Sequence, residues 1–211
     1  MPLIAKDAGD FIIVPPGSHL ARCYRIIDLG TQKSEYMGKE KYLPKVMIQF
    51  EVHSEDESGK PLATSDGKPL SIAKSFTCVL AEKSTLRKDL QMWRGREFTA
   101  EELRGFELKN VLGAWAMLTV TKSESNGKTY TNIAAINPVH KSLKEAGLPK
   151  GVNELKIFDL SDPDMALFDT FSENLKNKIM SSPEWQESWG QATGPDAVMS
   201  DIKKLDDDIP F

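Results

Sequence analysis

The segment 42–53, YLPKVMIQFEVH, constrains the fold of this chain more than any other stretch, because apolar and polar residues alternate along it. One face would carry Val46, Ile48, Phe50 and Val52, and the other Lys45, Met47, Gln49 and Glu51. A period of two residues is typical of a strand that turns one face to a core. The sequence therefore predicts a core built on a sheet.

Four further segments are rich in β-branched and aromatic residues and predict strands: 19–29, 70–80, 110–122 and 128–138. The last two are separated by a short polar stretch that contains Asn126 and Gly127, a pair that favours a tight hairpin turn. Five strands are thus expected within the first 140 residues.

Two helices are predicted between the third and fourth strands. The first begins at Ser84 as the N-cap, ends at Gly95 and places Leu86, Leu90 and Trp93 on one face. The second covers 98–106, where Thr99 and Glu102 have the spacing of a capping box.

This order of elements resembles the OB-fold, a five-stranded Greek-key barrel in a mainly β chain. The resemblance implies that an oligonucleotide or oligosaccharide lies across strands 2 and 3 and between the loops joining strands 1–2 and 4–5. Another antiparallel sheet of similar length would also satisfy the pattern. The resemblance therefore implies that residues 1–140 form an OB-fold nucleic-acid-binding domain.

Residues 141–190 are predicted to form a helical extension. A helix over 162–180 would start with Asp162 as N-cap and Pro163 at the first helical position. Its apolar face would carry Phe168, Phe171, Leu175 and Ile179, and a further Ser-Pro start at 182 would place Trp185 and Trp189 one turn apart. Residues 191–211 lack a core-forming pattern and predict a disordered linker with an acidic protein-interaction tail.

Charge is divided unevenly along the chain, whose formal net charge is −4. Residues 1–150 carry 22 Lys and Arg against 18 Asp and Glu, whereas residues 151–211 carry 5 against 13. A net charge of +4 followed by one of −8 suggests a polyanion-binding body with a separate interaction tail.

The sequence offers little for catalysis. His19, His53 and His140 lack metal-ligand spacing, and neither a phosphate-binding glycine loop nor a nucleophile elbow is present. We expect that the protein is not an enzyme and that it binds no metal or cofactor.

The two cysteines, Cys23 and Cys78, are expected to be reduced thiols of a cytoplasmic protein, with a disulfide as the alternative. No stretch has the length of a membrane span.

Basic and aromatic residues fall where an OB barrel would bind a strand. Single-strand binding combines cations that follow the phosphates with rings that stack on bases. The candidates are Lys33, Tyr36, Lys39, Lys41, Tyr42 and Lys45 around the strand 1–2 connection, Lys74 and Phe76 on strand 3, Lys122, Lys128 and Tyr130 in the 4–5 hairpin, and Arg22, Tyr24 and Arg25 on strand 1. Phe76 shares its face with Ile72 and Cys78 and also fits a core position.

The last six residues, Asp206, Asp207, Asp208, Ile209, Pro210 and Phe211, resemble the acidic tip of bacterial and phage single-stranded DNA-binding proteins. The resemblance implies that this tip docks on replication, recombination and repair proteins. Physically, the Phe211 ring would fill an apolar pocket while its carboxylate meets a basic residue. The rest of the chain differs from the bacterial housekeeping protein. This difference predicts a phage-encoded member of the family, and it leaves open whether the chain forms a homo-oligomer.

The leading hypothesis is therefore sequence-independent binding and protection of single-stranded DNA during replication, recombination or repair in the cytoplasm of a bacterial host. The alternative is an OB-like adaptor that binds protein rather than DNA and recruits a replication or recombination enzyme through the tail. A nuclease would need carboxylates brought together by the fold.

Overall fold

A computed structural model of the chain describes residues 13–36, 38–125 and 128–189, with backbone alone at residues 35, 36, 39, 125 and 128. The strands are β1 (Gly17–Tyr36), β2 (Lys39–Val52), β3 (Ser71–Thr77), β4 (Trp115–Ser125), β5 (Lys128–Asn137) and β6 (Lys156–Phe158). The helices are α1 (Thr85–Arg94), a short 3-10 helix (Leu108–Val111), α2 (Lys141–Ala146), α3 (Met165–Asp169), α4 (Glu173–Met180) and α5 (Pro183–Ser188).

Across the described residues the strands form a six-stranded antiparallel sheet in the order β3-β2-β1-β4-β5, with β6 beside β1. Three consecutive strands followed by a fourth that returns beside the first is the order of a Greek key. The return connection from β3 to β4 contains α1 and the 3-10 helix. The expectation of a mainly β chain is confirmed.

The alternation along β2 is confirmed by its burial. Val46, Ile48, Phe50 and Val52 are all buried.

Contacts divide the chain into two compact units. The first unit comprises Met1–Arg25, Ile48–Lys74 and Lys88–Lys156, and the second comprises Ile26–Met47, Ser75–Arg87 and Ile157–Phe211. The division at residues 140 and 190 expected from the sequence stays a prediction.

Helix α1 begins and ends as its sequence predicts. The backbone N–H of Arg87 donates to Ser84 Oγ at 3.2 Å, and Gly95 follows the helix with a φ of 67°. In the first unit, the Trp93 ring lies 5.4 Å from that of Phe50, and its Nε1 donates to the backbone oxygen of Trp115 at 2.8 Å. These contacts fix the helix on the core.

The expected helix at 98–106 is wrong, because only a turn forms there. The capping box itself is present, since Thr99 N–H donates to Glu102 Oε2 at 2.9 Å and Glu102 N–H donates to Thr99 Oγ1 at 3.2 Å. One α-helical hydrogen bond, from Leu103 N–H to Thr99 O, and one of the 3-10 type, from Arg104 N–H to Glu101 O, follow before Gly105. The cap therefore starts a helix that the next residues do not extend.

The second unit has its own apolar core. Its buried members are Ile27, Leu29, Phe158, Leu160, Leu167, Phe168, Phe171, Ile179 and Trp185. Trp185 stacks on Phe168 with a centroid distance of 4.6 Å. The apolar face expected of the helical extension is therefore buried against β1, within one unit.

The single helix expected over 162–180 is wrong, since two helices, α3 and α4, share that stretch. Asp164, not Asp162, is the N-cap of α3, and its Oδ1 accepts from Leu167 N–H at 3.0 Å. The Thr170 hydroxyl donates to Leu167 O at 2.6 Å at the end of α3, and Ser172 begins α4. Short hydroxyl side chains favour such local hydrogen bonds over a continuous helix.

Helix α5 is held on β1 at Gly30. This glycine has a φ of 66°, and a Cβ there would lie 2.5 Å from Ser182 Cβ. Beside it, Glu184 accepts from Thr31 N–H at 2.9 Å and from Thr31 Oγ1 at 2.5 Å. As predicted, Ser182 is the N-cap of this helix.

The two cysteines are free thiols. Burial raises the pKa of Cys23 to about 12, so this thiol stays protonated. Along the stretches 13–36, 38–125 and 128–189, no helix is both long and apolar enough to cross a lipid bilayer.

Candidate nucleic-acid interface

The β1–β2 hairpin presents an aromatic ring that packing does not explain. Tyr42 occupies the same face of β2 as the buried residues Val46 and Ile48, yet it is 62% exposed. Lys41 beside it is exposed, and Lys33 on β1 forms an exposed ion pair with Glu40 at 2.5 Å. Such a pair is worth little in water, which leaves the lysine available to a phosphate.

Two predicted members of this hairpin lie outside the described side chains, namely Tyr36 and Lys39. Lys45 is half-buried, and its Nζ donates to Thr77 Oγ1 at 2.7 Å. Lys45 is thus bound to its own sheet, and among the described side chains of the hairpin the exposed cations are Lys33 and Lys41.

The β4–β5 hairpin presents a second ring. Tyr130 is 47% exposed and lies opposite Ser123. Lys122 is exposed and ion-paired with Glu124 at 3.1 Å, but it lies opposite Thr131 and therefore on the other face of the hairpin from Tyr130. The side chain of Lys128 lies outside the described residues.

The predicted DNA-binding residues on β1 and β3 are mostly buried or in contact with other side chains of the protein. Tyr24 and Phe76 are buried, so neither ring has a face left for a base, and we leave both out of the proposed interface. The Arg25 guanidinium lies 5.3 Å from the Tyr24 ring centroid. Lys74 pairs with Asp89 at 2.7 Å, largely shielded from solvent.

Arg22 belongs to a buried network that the sequence did not reveal. Its Nε donates to Glu51 Oε1 at 2.6 Å, and its Nη2 donates to Asn153 O at 2.6 Å. Glu51 is fully buried and also accepts from the N–H groups of Val152, at 3.1 Å, and Asn153, at 2.6 Å. His53 Nε2 lies 3.1 Å from the same carboxylate.

These contacts keep Glu51 ionised despite its burial. Burial alone raises the pKa of this carboxyl, but the hydrogen bonds, first among them that from Asn153 N–H, outweigh it and hold the pKa below its ordinary value. A Cβ at Gly151 would lie 1.7 Å from Arg22 Cζ, so only glycine fits there. Arg22 is therefore a structural cation of the first unit.

Sequence signals for this network are weak. The alternation of β2 places Glu51 on the outward face of the strand, whereas its partners Val152 and Asn153 lie about a hundred residues away, in a loop. No local spacing connects the two segments.

No protein-family model matches this chain, and no curated protein matches it in sequence. The residues that carry the resemblance to single-stranded DNA-binding proteins, Asp206 to Phe211, lie outside the described residues. In the described part of the chain, no group of three or more His, Cys, Asp or Glu side chains is placed to hold a metal ion.

Proposed function

We propose that this protein binds single-stranded DNA without sequence preference through the β1–β2 and β4–β5 hairpins. One observation carries the proposal. Among the described side chains, the aromatic ones that remain exposed are Tyr42 and Tyr130, one on each hairpin, and exposed lysines stand on both. Rings and cations together bind a single strand, because every base has a face on which an aromatic ring can stack.

The strand order supports an OB barrel as the scaffold. The sheet has the Greek-key order, and a helix lies between β3 and β4. In an OB barrel, the loops that join strands 1–2 and 4–5 border the nucleic-acid groove. The exposed tyrosines stand on the strands next to these two connections, Tyr42 in β2 and Tyr130 in β5.

The proposal is tested with a fluorescent oligo-dT titrated at several salt concentrations, with a DNA duplex as control and Mg²⁺ present. We expect tight, salt-dependent binding of the single strand and no cleavage product. Absence of binding by the folded protein contradicts the proposal and favours the adaptor. A shortened product identifies a nuclease.

The lysines are tested through the salt dependence of that binding. Changing Lys33 and Lys41 to Gln is expected to reduce the slope of log affinity against log salt by about 0.7 for each lost phosphate contact. The matched control changes Lys141 and Lys144 to Gln, because it removes the same charge from exposed positions of another segment. Equal slopes in the two double variants contradict the assignment.

We further propose that the C-terminal six residues recruit replication, recombination or repair proteins. Surface plasmon resonance measures the binding of this protein to purified host enzymes of these classes. Phe211→Ala is expected to abolish capture and leave oligo-dT affinity unchanged, since the tail keeps its aspartates. Leu205→Ala, just outside the six residues, is the control. If the Phe211 variant captures these proteins as fully as the wild type does, the proposed role of the C-terminal six residues in recruitment is wrong.

A further inference from the structure

A cavity of about 350 Å³ opens in the first unit, between the end of α1 and the start of β4. It is lined by Trp93, Arg94, Arg96, Glu102, Phe106, Asn110, Val111, Ala114 and Trp115. Trp115 is the first residue of β4, and Ser125 at the other end precedes the hairpin turn. At about 3.4 Å per residue, the cavity lies roughly 30 Å along the strand from that turn. It is therefore distinct from the β4–β5 hairpin turn.

The walls of the cavity are aromatic. Trp93, Phe106 and Trp115 line it, and Phe106 and Trp115 are half-buried. Both tryptophans are held in place, since Trp93 Nε1 donates to Trp115 O and the Trp115 ring meets His53 edge-on at a centroid distance of 4.9 Å. Rigid aromatic walls suit a flat, aromatic ligand.

Arg94 gives the cavity a fixed cation. Its guanidinium lies 4.5 Å from the Phe98 ring centroid and 4.8 Å from that of Phe106, so two rings hold its plane. Its Nη2 is paired with Glu102. Because Arg94 lines the cavity, its positive charge favours an anionic group of a ligand bound there.

The remaining charges favour an anion as well. Arg96 donates through both terminal nitrogens to Glu102, at 3.0 and 2.8 Å. The Arg96 hydrogen bonds, followed by that from Thr99 N–H, lower the pKa of Glu102 to about 2, so this carboxylate is charged. Two guanidinium groups against one carboxylate leave one positive charge in excess. Asn110, exposed at the cavity, adds an amide that can both donate and accept.

We propose that this cavity binds a nucleotide, with the base among the aromatic walls and the phosphate on Arg94 and Arg96. The volume falls at the small end of ligand pockets, as a ligand of this size requires. The nucleotide can be free or one unit of a DNA strand. The proposal does not rest on DNA binding by the hairpins.

The test is isothermal titration of the full-length protein with deoxyadenosine monophosphate, deoxyadenosine and inorganic phosphate. We expect the monophosphate to bind at least about tenfold more tightly than either fragment, because it uses both the walls and the cations. Absence of heat with the monophosphate overturns the proposal. Phosphate binding as tight as that of the monophosphate also overturns it, since the walls then contribute nothing.

Variants locate the binding. Arg96→Gln and Asn110→Ala, both at exposed positions, are each expected to weaken monophosphate binding by about tenfold through the lost hydrogen bonds. Arg104→Gln removes the same charge from an exposed residue outside the cavity and should leave binding unchanged. An equal loss in the Arg104 and Arg96 variants would overturn the assignment to this cavity. Unfolding midpoints measured alongside show that each variant is folded.

A competition titration identifies the source of the nucleotide. Oligo-dA that displaces the monophosphate assigns the cavity to a strand, whereas oligo-dA that binds without displacing it assigns the cavity to free nucleotide. A variant carrying Tyr42→Ala and Tyr130→Ala should still bind the monophosphate. Failure of the hairpin surface and failure of the cavity are therefore separate results.

Discussion

Replacing Glu51 by alanine is expected to lower the free energy of unfolding by about 3–5 kcal/mol, the usual cost of removing one partner of a buried ion pair. The loss is large because the Arg22 side chain is only 14% exposed and would keep its charge without a counterion. The N–H groups of Val152 and Asn153 would lose their acceptor at the same time. Urea unfolding followed by tryptophan fluorescence measures the difference.

Two further variants interpret that result. Glu124→Ala removes an exposed ion pair with Lys122 and should cost less than about 1 kcal/mol. Glu51→Gln keeps the shape and one acceptor oxygen, so its cost should lie between the other two. If Glu51→Ala destabilises the protein no more than Glu124→Ala, the network makes no special contribution to stability.

The pH dependence of this contribution has a definite sign. Because the folded-state pKa of Glu51 is lowered, its ionised form stabilises the protein above the unfolded-state pKa, near 4.5. The contribution is lost as the pH falls through the folded-state value. The difference in unfolding free energy between the wild type and Glu51→Gln should therefore be largest near neutral pH and shrink in acid.

Most strands could be predicted because one face is buried while the other is less buried, so that apolar and polar residues alternate along the sequence. β1 was harder to assign. Cys23 and Tyr24 are both buried, as are Ile26 and Ile27, so neighbouring residues on opposite faces are covered. A strand covered on both faces has no period of two, and its alternation cannot say which side chains point outward.

Helical spacing predicted burial better than it predicted helix ends. Phe168, Phe171 and Ile179 all enter the core of the second unit, as their shared face indicated. The break between α3 and α4 depends instead on hydrogen bonds of single hydroxyl groups such as that of Thr170. Periodicity reports the apolar face of a segment but not such local competition.

Some functional candidates could also be predicted from the sequence, and others could not. Tyr42 and Tyr130 could be found from the sequence, because each stands close to a turn and the strand pattern locates the turns. Glu51 and Arg94 could not be assigned, because their environments depend on residues brought close only by folding. Sequence thus indicated these exposed side chains better than it indicated the buried charges.

Loss of the tyrosine rings is expected to have the largest effect on DNA binding. Base stacking on an aromatic side chain contributes about 1–3 kcal/mol, so Tyr42→Ala and Tyr130→Ala should each weaken oligo-dT binding by about 5- to 150-fold. The salt slope should not change, since neither substitution removes a charge. Fluorescence anisotropy at two salt concentrations measures both quantities.

The controls separate stacking from other causes of weak binding. Tyr42→Phe and Tyr130→Phe keep the rings and should bind almost as the wild type does, whereas Met92→Ala removes an exposed apolar side chain of α1 and should have no effect. If both hairpins hold one strand, the double alanine variant should lose roughly the product of the two single losses. If instead one substitution has no effect on a long oligo-dT, its hairpin does not contact the strand, and the proposed interface reduces to the other hairpin.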